Sequence, residues 1–292
     1  MSATRAPGDG ADDTGASDAG APDSEALLRV AVEAATGAGA LLAERARGGR
    51  ERHVSSKSTP TDLVSEADLA SEHAIRELLA ASRPDDGFVG EEGEDVHGTG
   101  GLEWVVDPLD GTVNFLYGIP QWCVSVAVRD RDGTLAGAVY DPNRDELFAA
   151  ARGSRATLTS AHGTVELGAD GDGSGRGLGG EELASAMLAT GLAYDADVRA
   201  AQGRVLARVA PRVRDIRRFG SAALDLCWTA AGRYDAYFER TVKPWDIAAG
   251  ALICESVGLR VLELPVHEHL PWGILVASPG LAEGLLELVG GV

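Results

Sequence analysis

The segment Trp104-Val-Val-Asp107-Pro-Leu-Asp110-Gly-Thr112-Val-Asn-Phe115 constrains the fold more than any other stretch of the chain. Trp104–Val106 reads as an apolar strand that ends in a carboxylate, and Pro108 sets a turn directly after it. Asp110, three residues on, can come back to face the same point. Gly111 and Thr112 then open a helical turn, and the free backbone N–H groups of a helix start attract phosphate. Two hard carboxylates converging on a tight turn can bind Mg2+, with the carbonyl of Leu109 between them as a third oxygen ligand. A plainer reading makes Asp110 an ordinary N-cap, but it does not explain why Asp107 ends a hydrophobic strand.

Around this segment the periodicity switches between helix and strand. Ser24 can cap a helix from Glu25 to Arg47, with Leu27, Val30, Leu41 and Leu42 on its apolar side. Ser65 and Asp68 have capping-box spacing and start a second helix that runs to Pro84. Phe88-Val89 reads as a strand, and Cys123–Val128, Leu135–Tyr140 and Glu146–Ala150 follow as an antiparallel meander. Residues 163–181, rich in Gly and Asp, read as a mobile surface loop. Beyond it, strands at 187–192, 213–219 and 234–239 alternate with helices at 196–210, 222–231 and 246–257. Two strands, 260–264 and 274–277, and a last helix close the chain. The pattern predicts an α+β protein in three parts: a disordered acidic tail over 1–24, an α+β part over 25–183, and a smaller alternating α/β part over 184–292. The first sheet is expected to be antiparallel, with a cleft between the layers.

Charge narrows the function. With 45 acidic against 26 basic residues the 292-residue chain carries a formal charge of −19. That balance repels a phosphate backbone, and no basic run offsets it, so nucleic acid is not expected as a partner. No apolar run of about 18 residues is evident and no membrane span is expected. Three widely spaced cysteines in apolar stretches read as reduced core residues, and the acidic N-terminus lacks a signal peptide's apolar block. Both point to a cytoplasmic protein.

Three further segments carry candidate chemistry. Gly90-Glu91-Glu92-Gly93 presents Glu91 at a strand end, although taken alone the segment reads better as a solvated acidic turn. Lys243-Pro-Trp245-Asp246-Ile-Ala-Ala-Gly250 offers Asp246 as a ligand or as a helix cap. Lys57–Asp68 offers Asp68, itself explicable as the capping box. Lys57 and Lys243 are the only lysines, and both fall inside these segments; each reads equally well as a surface charge. Arg212, Arg214, Arg217 and Arg218 can serve a subunit contact or steer anions, or lie as solvated charge. His267 and His269 have alternating spacing but sit in a short Pro-flanked loop.

In order and separation the four segments resemble the inositol monophosphatase family of Mg2+-dependent sugar phosphatases, over about residues 26–290. Asp-Pro-Leu-Asp-Gly-Thr and Trp-Asp-Ile-Ala-Ala-Gly are the specific matches, with Gly220-Ser-Ala-Ala223 and Asp235-Ala-Tyr-Phe-Glu239 adding to them. The resemblance implies a layered αβαβα sandwich, a homodimer, and two or three Mg2+ per active site. It places Glu91, Asp107 and the Leu109 carbonyl on one ion and Asp107, Asp110 and Asp246 on a second. It assigns Thr112 and Glu91 to orienting and activating water, with Asp68 bonded to the Thr112 hydroxyl. Gly111 and Thr112 amides would hold the phosphate. Asp110, Gly220, Ser221, Ala222, Glu239 and Asp246 would meet the hydroxyls of a small phosphorylated polyol. The activity implied is hydrolysis of myo-inositol monophosphate. Close alternatives are fructose 1,6-bisphosphate, adenosine 3',5'-bisphosphate and histidinol phosphate, and a non-catalytic metal-binding regulatory protein is the alternative of another class. Independently of the family, clustered carboxylates need cations to stay ionised, and no His lies in any of the four segments.

Overall fold

The computed structural model describes residues 22–48, 54–56, 63–168 and 182–290. Most of the expected acidic tail, Lys57 and residues 169–181 lie outside the described residues.

Helix α1 (Ser24–Gly48) is followed by a small antiparallel pair, β1 (Val54–Ser56) and β2 (Leu63–Ser65), and by α2 (Glu66–Ser82). Then come β3 (Gly87–Gly90), β4 (Glu103–Asp110), the short α3 (Thr112–Tyr117), β5 (Cys123–Asp130), β6 (Gly133–Asp141), β7 (Glu146–Ala151), β8 (Thr157–Ser160) and β9 (Gly163–Glu166). These seven strands form one sheet in sequential order. The second half holds β10 (Met187–Thr190), α4 (Ala196–Val209), β11 (Asp215–Arg217), α5 (Ala222–Ala230), β12 (Ala236–Arg240), α6 (Pro244–Ser256), β13 (Arg260–Leu264), β14 (Gly273–Ala277) and α7 (Pro279–Val289). Its five strands are ordered β11-β10-β12-β14-β13.

Three apolar layers bind these sheets into an αβαβα sandwich. Leu27, Ala31, Ala35 and Leu42 of α1, with Ile75 and Leu79 of α2, pack on Trp104, Val106, Val124, Val126 and Val128. The opposite face of the same strands, with Val105, Ala127 and Val139, meets α5 and α6, whose other side rests on Tyr237, Ile274 and Val276. On the outer face of the five-stranded sheet, Leu188, Phe238 and Leu275 are covered by α4 and α7. Strands sandwiched in this way are apolar on both faces, and Cys123–Val128 is buried at every position. The helices and sheet sit close: a Cβ on Gly137 of β6 would lie 2.7 Å from Ala249 Cα of α6.

Three expectations need correction. The first sheet is not wholly antiparallel, because β3 runs parallel to β4. Residues 163–166 are not loop but β9, which pairs with β8 around Ala161-His162; the β-branched Thr157, Thr159, Thr164 and Val165 favour that hairpin. Finally, α1 contains an 18-residue window of mean hydropathy 1.5, long and apolar enough by composition to cross a membrane. Its alanine-rich face instead packs against α2, β5 and β6. The three cysteines are free and buried, as expected.

Candidate active site

The chemistry of the site depends on a defect in β4. In a regular strand residues three apart point to opposite faces, so Asp107 and Asp110 would diverge. Here Asp107 pairs with Ser125 and Asp110 with Cys123, so three steps on β4 match two on β5. The extra residue makes a bulge between Asp107 and Asp110, where the missing N–H of Pro108 is tolerated, and it turns Asp110 back to the side of Asp107. Asp107 follows the parity of Val105 and therefore faces the central helix layer. The Ser71 hydroxyl fixes the bulge by donating to the Pro108 carbonyl at 2.7 Å.

The other carboxylates arrive from separate elements. Gly90 of β3 lies opposite Val106, so Glu91 continues into the position beside Asp107. Asp246 sits in the first turn of α6, with Oδ2 accepting from the Lys243 N–H at 2.7 Å. Glu239 comes from β12. Together Glu91, Asp107, Leu109, Asp110, Gly111, Thr112, Gly220, Ala222, Glu239 and Asp246 line one cleft of about 380 Å³. Ten of the expected residues thus meet, from both halves of the chain. Gly111 enters α3 at φ +98°, a left-handed conformation that suits glycine.

Two expected residues stand behind the cleft wall. Asp68 is fully buried; its Oδ2 accepts from the Ser65 N–H (2.9 Å) and hydroxyl (2.6 Å), and its Oδ1 lies 2.8 Å from the Thr112 hydroxyl. The capping bonds to Ser65 and the expected bond to the Thr112 hydroxyl are therefore both made, by different oxygens. Thr112 Oγ1 also lies 3.1 Å from the Leu109 carbonyl. Ser221 is buried too and donates to Asp110 Oδ2 at 2.7 Å, as does the Ala223 N–H.

Crowding shows in the acidities. Loss of hydration, reinforced by Glu91, Asp110 and Asp246, holds the Asp107 carboxyl well above its ordinary range. Asp246 is raised by the same loss of hydration and then by Asp110. Asp110 is pushed up to about 6 by loss of hydration, against the opposing bonds from Ser221 and Ala223. Glu239 is pushed up to about 7 by loss of hydration, which its bond from Tyr237 and the charge of Arg218 partly offset.

As the side chains stand, no group of three or more His, Cys, Asp or Glu among the described residues is arranged to hold a metal ion. The donor chemistry nonetheless fits Mg2+. All the donors are hard oxygens, and the carboxylates resist ionising beside one another without a cation. His267 and His269 are exposed and stand apart from this cleft.

Several lining residues went unread in the sequence: Leu192–Asp195 between β10 and α4, and Thr241 and Val242 before Lys243. Their segments follow strand ends, a signal that strand boundaries could have supplied. Glu72 was also missed; its carboxylate accepts from the Glu92 N–H at 2.9 Å and ties down the turn that carries Glu91.

A sequence model of the inositol monophosphatase family matches residues 23–290. The inositol-1-monophosphatase SuhB of Mycobacterium tuberculosis is 44% identical over 245 residues, covering 82% of each chain. The Nus factor SuhB of Pasteurella multocida is 39% identical over 267 residues, covering 90% of this chain and 95% of that one. The solved structure of Mycobacterium tuberculosis SuhB superposes with a TM-score of 0.75 at 40% identity, covering 90% and 95%.

Proposed function

Since the chain belongs to the inositol monophosphatase family, we propose that its cleft hydrolyses myo-inositol monophosphate to inositol and phosphate in a Mg2+-dependent reaction. Glu91, Asp107, Asp110, Asp246 and the Leu109 carbonyl are the groups that would hold Mg2+, two or three ions, which supply charge neutralisation and a more acidic water. The remaining work belongs to the side chains and backbone. Asp68 holds the Thr112 hydroxyl, and Thr112 in turn orients the attacking water, whose proton passes towards Glu91. The Gly111 and Thr112 amides receive the phosphate. Glu239, Asp246 and the backbone at Gly220 and Ala222 meet the hydroxyls of the leaving alcohol, while Ser221 keeps Asp110 in place. Water adds to phosphorus as the ester P–O bond breaks, and the departing oxygen takes up a proton.

One observation carries this reading: the buried Asp68 carboxylate lies 2.8 Å from the hydroxyl of Thr112, a residue that lines the same cleft as Glu91, Asp107, Asp110 and Asp246. A purely metal-binding site has no use for an oriented hydroxyl beside its ligands. The name of the Pasteurella relative, a Nus factor, favours a second reading, a regulatory protein without catalysis that meets another macromolecule. We propose a homodimer on the family resemblance alone. The test is phosphate release with Mg2+ from inositol 1-phosphate, fructose 1,6-bisphosphate, adenosine 3',5'-bisphosphate and histidinol phosphate. Highest kcat/KM on inositol 1-phosphate supports the reading; preference for another substrate reassigns it, and no turnover of any favours the regulatory role.

A further inference from the structure

Glu239 is presented to the cleft by two residues that the proposed reaction leaves without a role. Along β12, Tyr237 and Glu239 share a face, the one turned to the central helix layer, while Phe238 packs on the outer side. The Tyr237 ring is fully buried, and its hydroxyl donates to Glu239 Oε2 at 2.8 Å. Burial and the neighbouring Glu239 charge push the Tyr237 hydroxyl well above the ordinary tyrosine range, so it stays protonated and remains a donor at any working pH.

The second residue is on the adjacent strand. β10 and β12 are parallel, with Thr190 opposite Phe238, so the chain leaves β10 with Gly191 beside Glu239. A Cβ on Gly191 would fall 1.9 Å from Glu239 Oε1 and 2.1 Å from Oε2. No side chain other than hydrogen fits there without moving the carboxylate. Arg218 and Asp110 also act on Glu239: the charge of Arg218 favours the carboxylate, and that of Asp110 opposes it. Neither fixes its direction as a short hydrogen bond and a steric slot do.

We propose that Tyr237 and Gly191 are positioning residues that set leaving-group selectivity: they lock Glu239 with Oε2 held by tyrosine, so that the carboxylate accepts from a hydroxyl of a neutral polyol in the cleft. This rests on the phosphatase reading above. It narrows the substrate class to phosphate esters whose leaving alcohol carries neighbouring hydroxyl groups. Tyr237 does not touch the substrate; it acts through Glu239.

The test compares kcat/KM for myo-inositol 1-phosphate with that for p-nitrophenyl phosphate, whose leaving group has no neighbouring hydroxyl, in the full-length Mg2+-loaded protein. Loss of one hydrogen bond to a charged group predicts that Tyr237→Phe lowers the inositol-to-nitrophenyl ratio about tenfold, through KM and not kcat. Gly191→Ala should lower the ratio as far or further. Tyr237→Phe in a Glu239→Ala background should then have little additional effect, because the side chain it positions is gone. A ratio unchanged within twofold for Tyr237→Phe overturns the proposal. So does an equal loss on both substrates with a lowered melting temperature, the mark of a merely structural residue. Wild-type protein that releases phosphate from neither substrate overturns the phosphatase reading and this proposal with it.

Discussion

Thr112 concentrates the argument at the scale of single residues, because its hydroxyl lies 2.8 Å from a carboxylate that is itself fixed by two bonds from Ser65. Thr112→Val keeps the shape and removes the hydroxyl. It should lower kcat on the order of 100-fold with KM little changed, as removal of a water-orienting group does, while the far-ultraviolet spectrum stays native. A loss confined to KM would remove Thr112 from that role. The Thr112, Asp68 and carboxylate positions were legible in the sequence because each lies in a short motif with fixed offsets. Tyr237 and Gly191 were not, because their relation to Glu239 depends on a buried ring and on the register of β10 against β12. Neither shows in local periodicity.

At the scale of elements, two close fits hold the cleft in shape. The first is α6 against β6 at Gly137, which sets how near Asp246 comes to the strand-end carboxylates. Gly137→Val overpacks that contact, and by analogy with other overpacked cores should cost about 1–3 kcal/mol, read as a lower denaturant midpoint. The second is Asn114 of α3, whose Nδ2 lies 2.7 Å from both the Gln121 and the Phe219 carbonyls. It ties the first half of the chain to the segment leading into α5. Asn114→Ala should destabilise by about 1–3 kcal/mol, since it leaves the buried Gln121 carbonyl without this donor, and should weaken substrate binding by loosening Gly220. Native stability and KM in this variant would show that the tie is dispensable. Most helices and strands were legible in the sequence to within a few residues, because amphipathic periods and caps such as Ser65 are local. The parallel β3–β4 pair and the β8–β9 hairpin were not: strand direction is set by long-range packing, and β9 opens the 163–181 stretch, whose glycines and aspartates read as loop.

For the whole molecule, a net charge of −19 turns on where the carboxylates sit. Asp107, Asp110 and Asp246 lie deep enough in one cleft, at the junction of two sheets, that their acidities rise. A carboxyl whose pKa is raised on folding binds its proton more tightly in the folded state than in the unfolded chain. Its stabilising effect is present below the unfolded value and is lost as pH climbs through the folded one. With Asp110 at about 6 and Glu239 at about 7, the metal-free protein should lose stability between the ordinary carboxylate range and pH 7. Saturating Mg2+ at about pH 8 should raise the melting temperature by about 5 °C. A melting temperature indifferent to both pH and Mg2+ would mean that the cleft binds no cation.

The most direct test of the central claim is inorganic phosphate release from myo-inositol 1-phosphate, measured for wild type and Asp107→Asn, each with and without Mg2+. Turnover by wild type only when Mg2+ is present, with Asp107→Asn at background in both conditions, is the predicted result. Equal, metal-independent rates for the two proteins would contradict it.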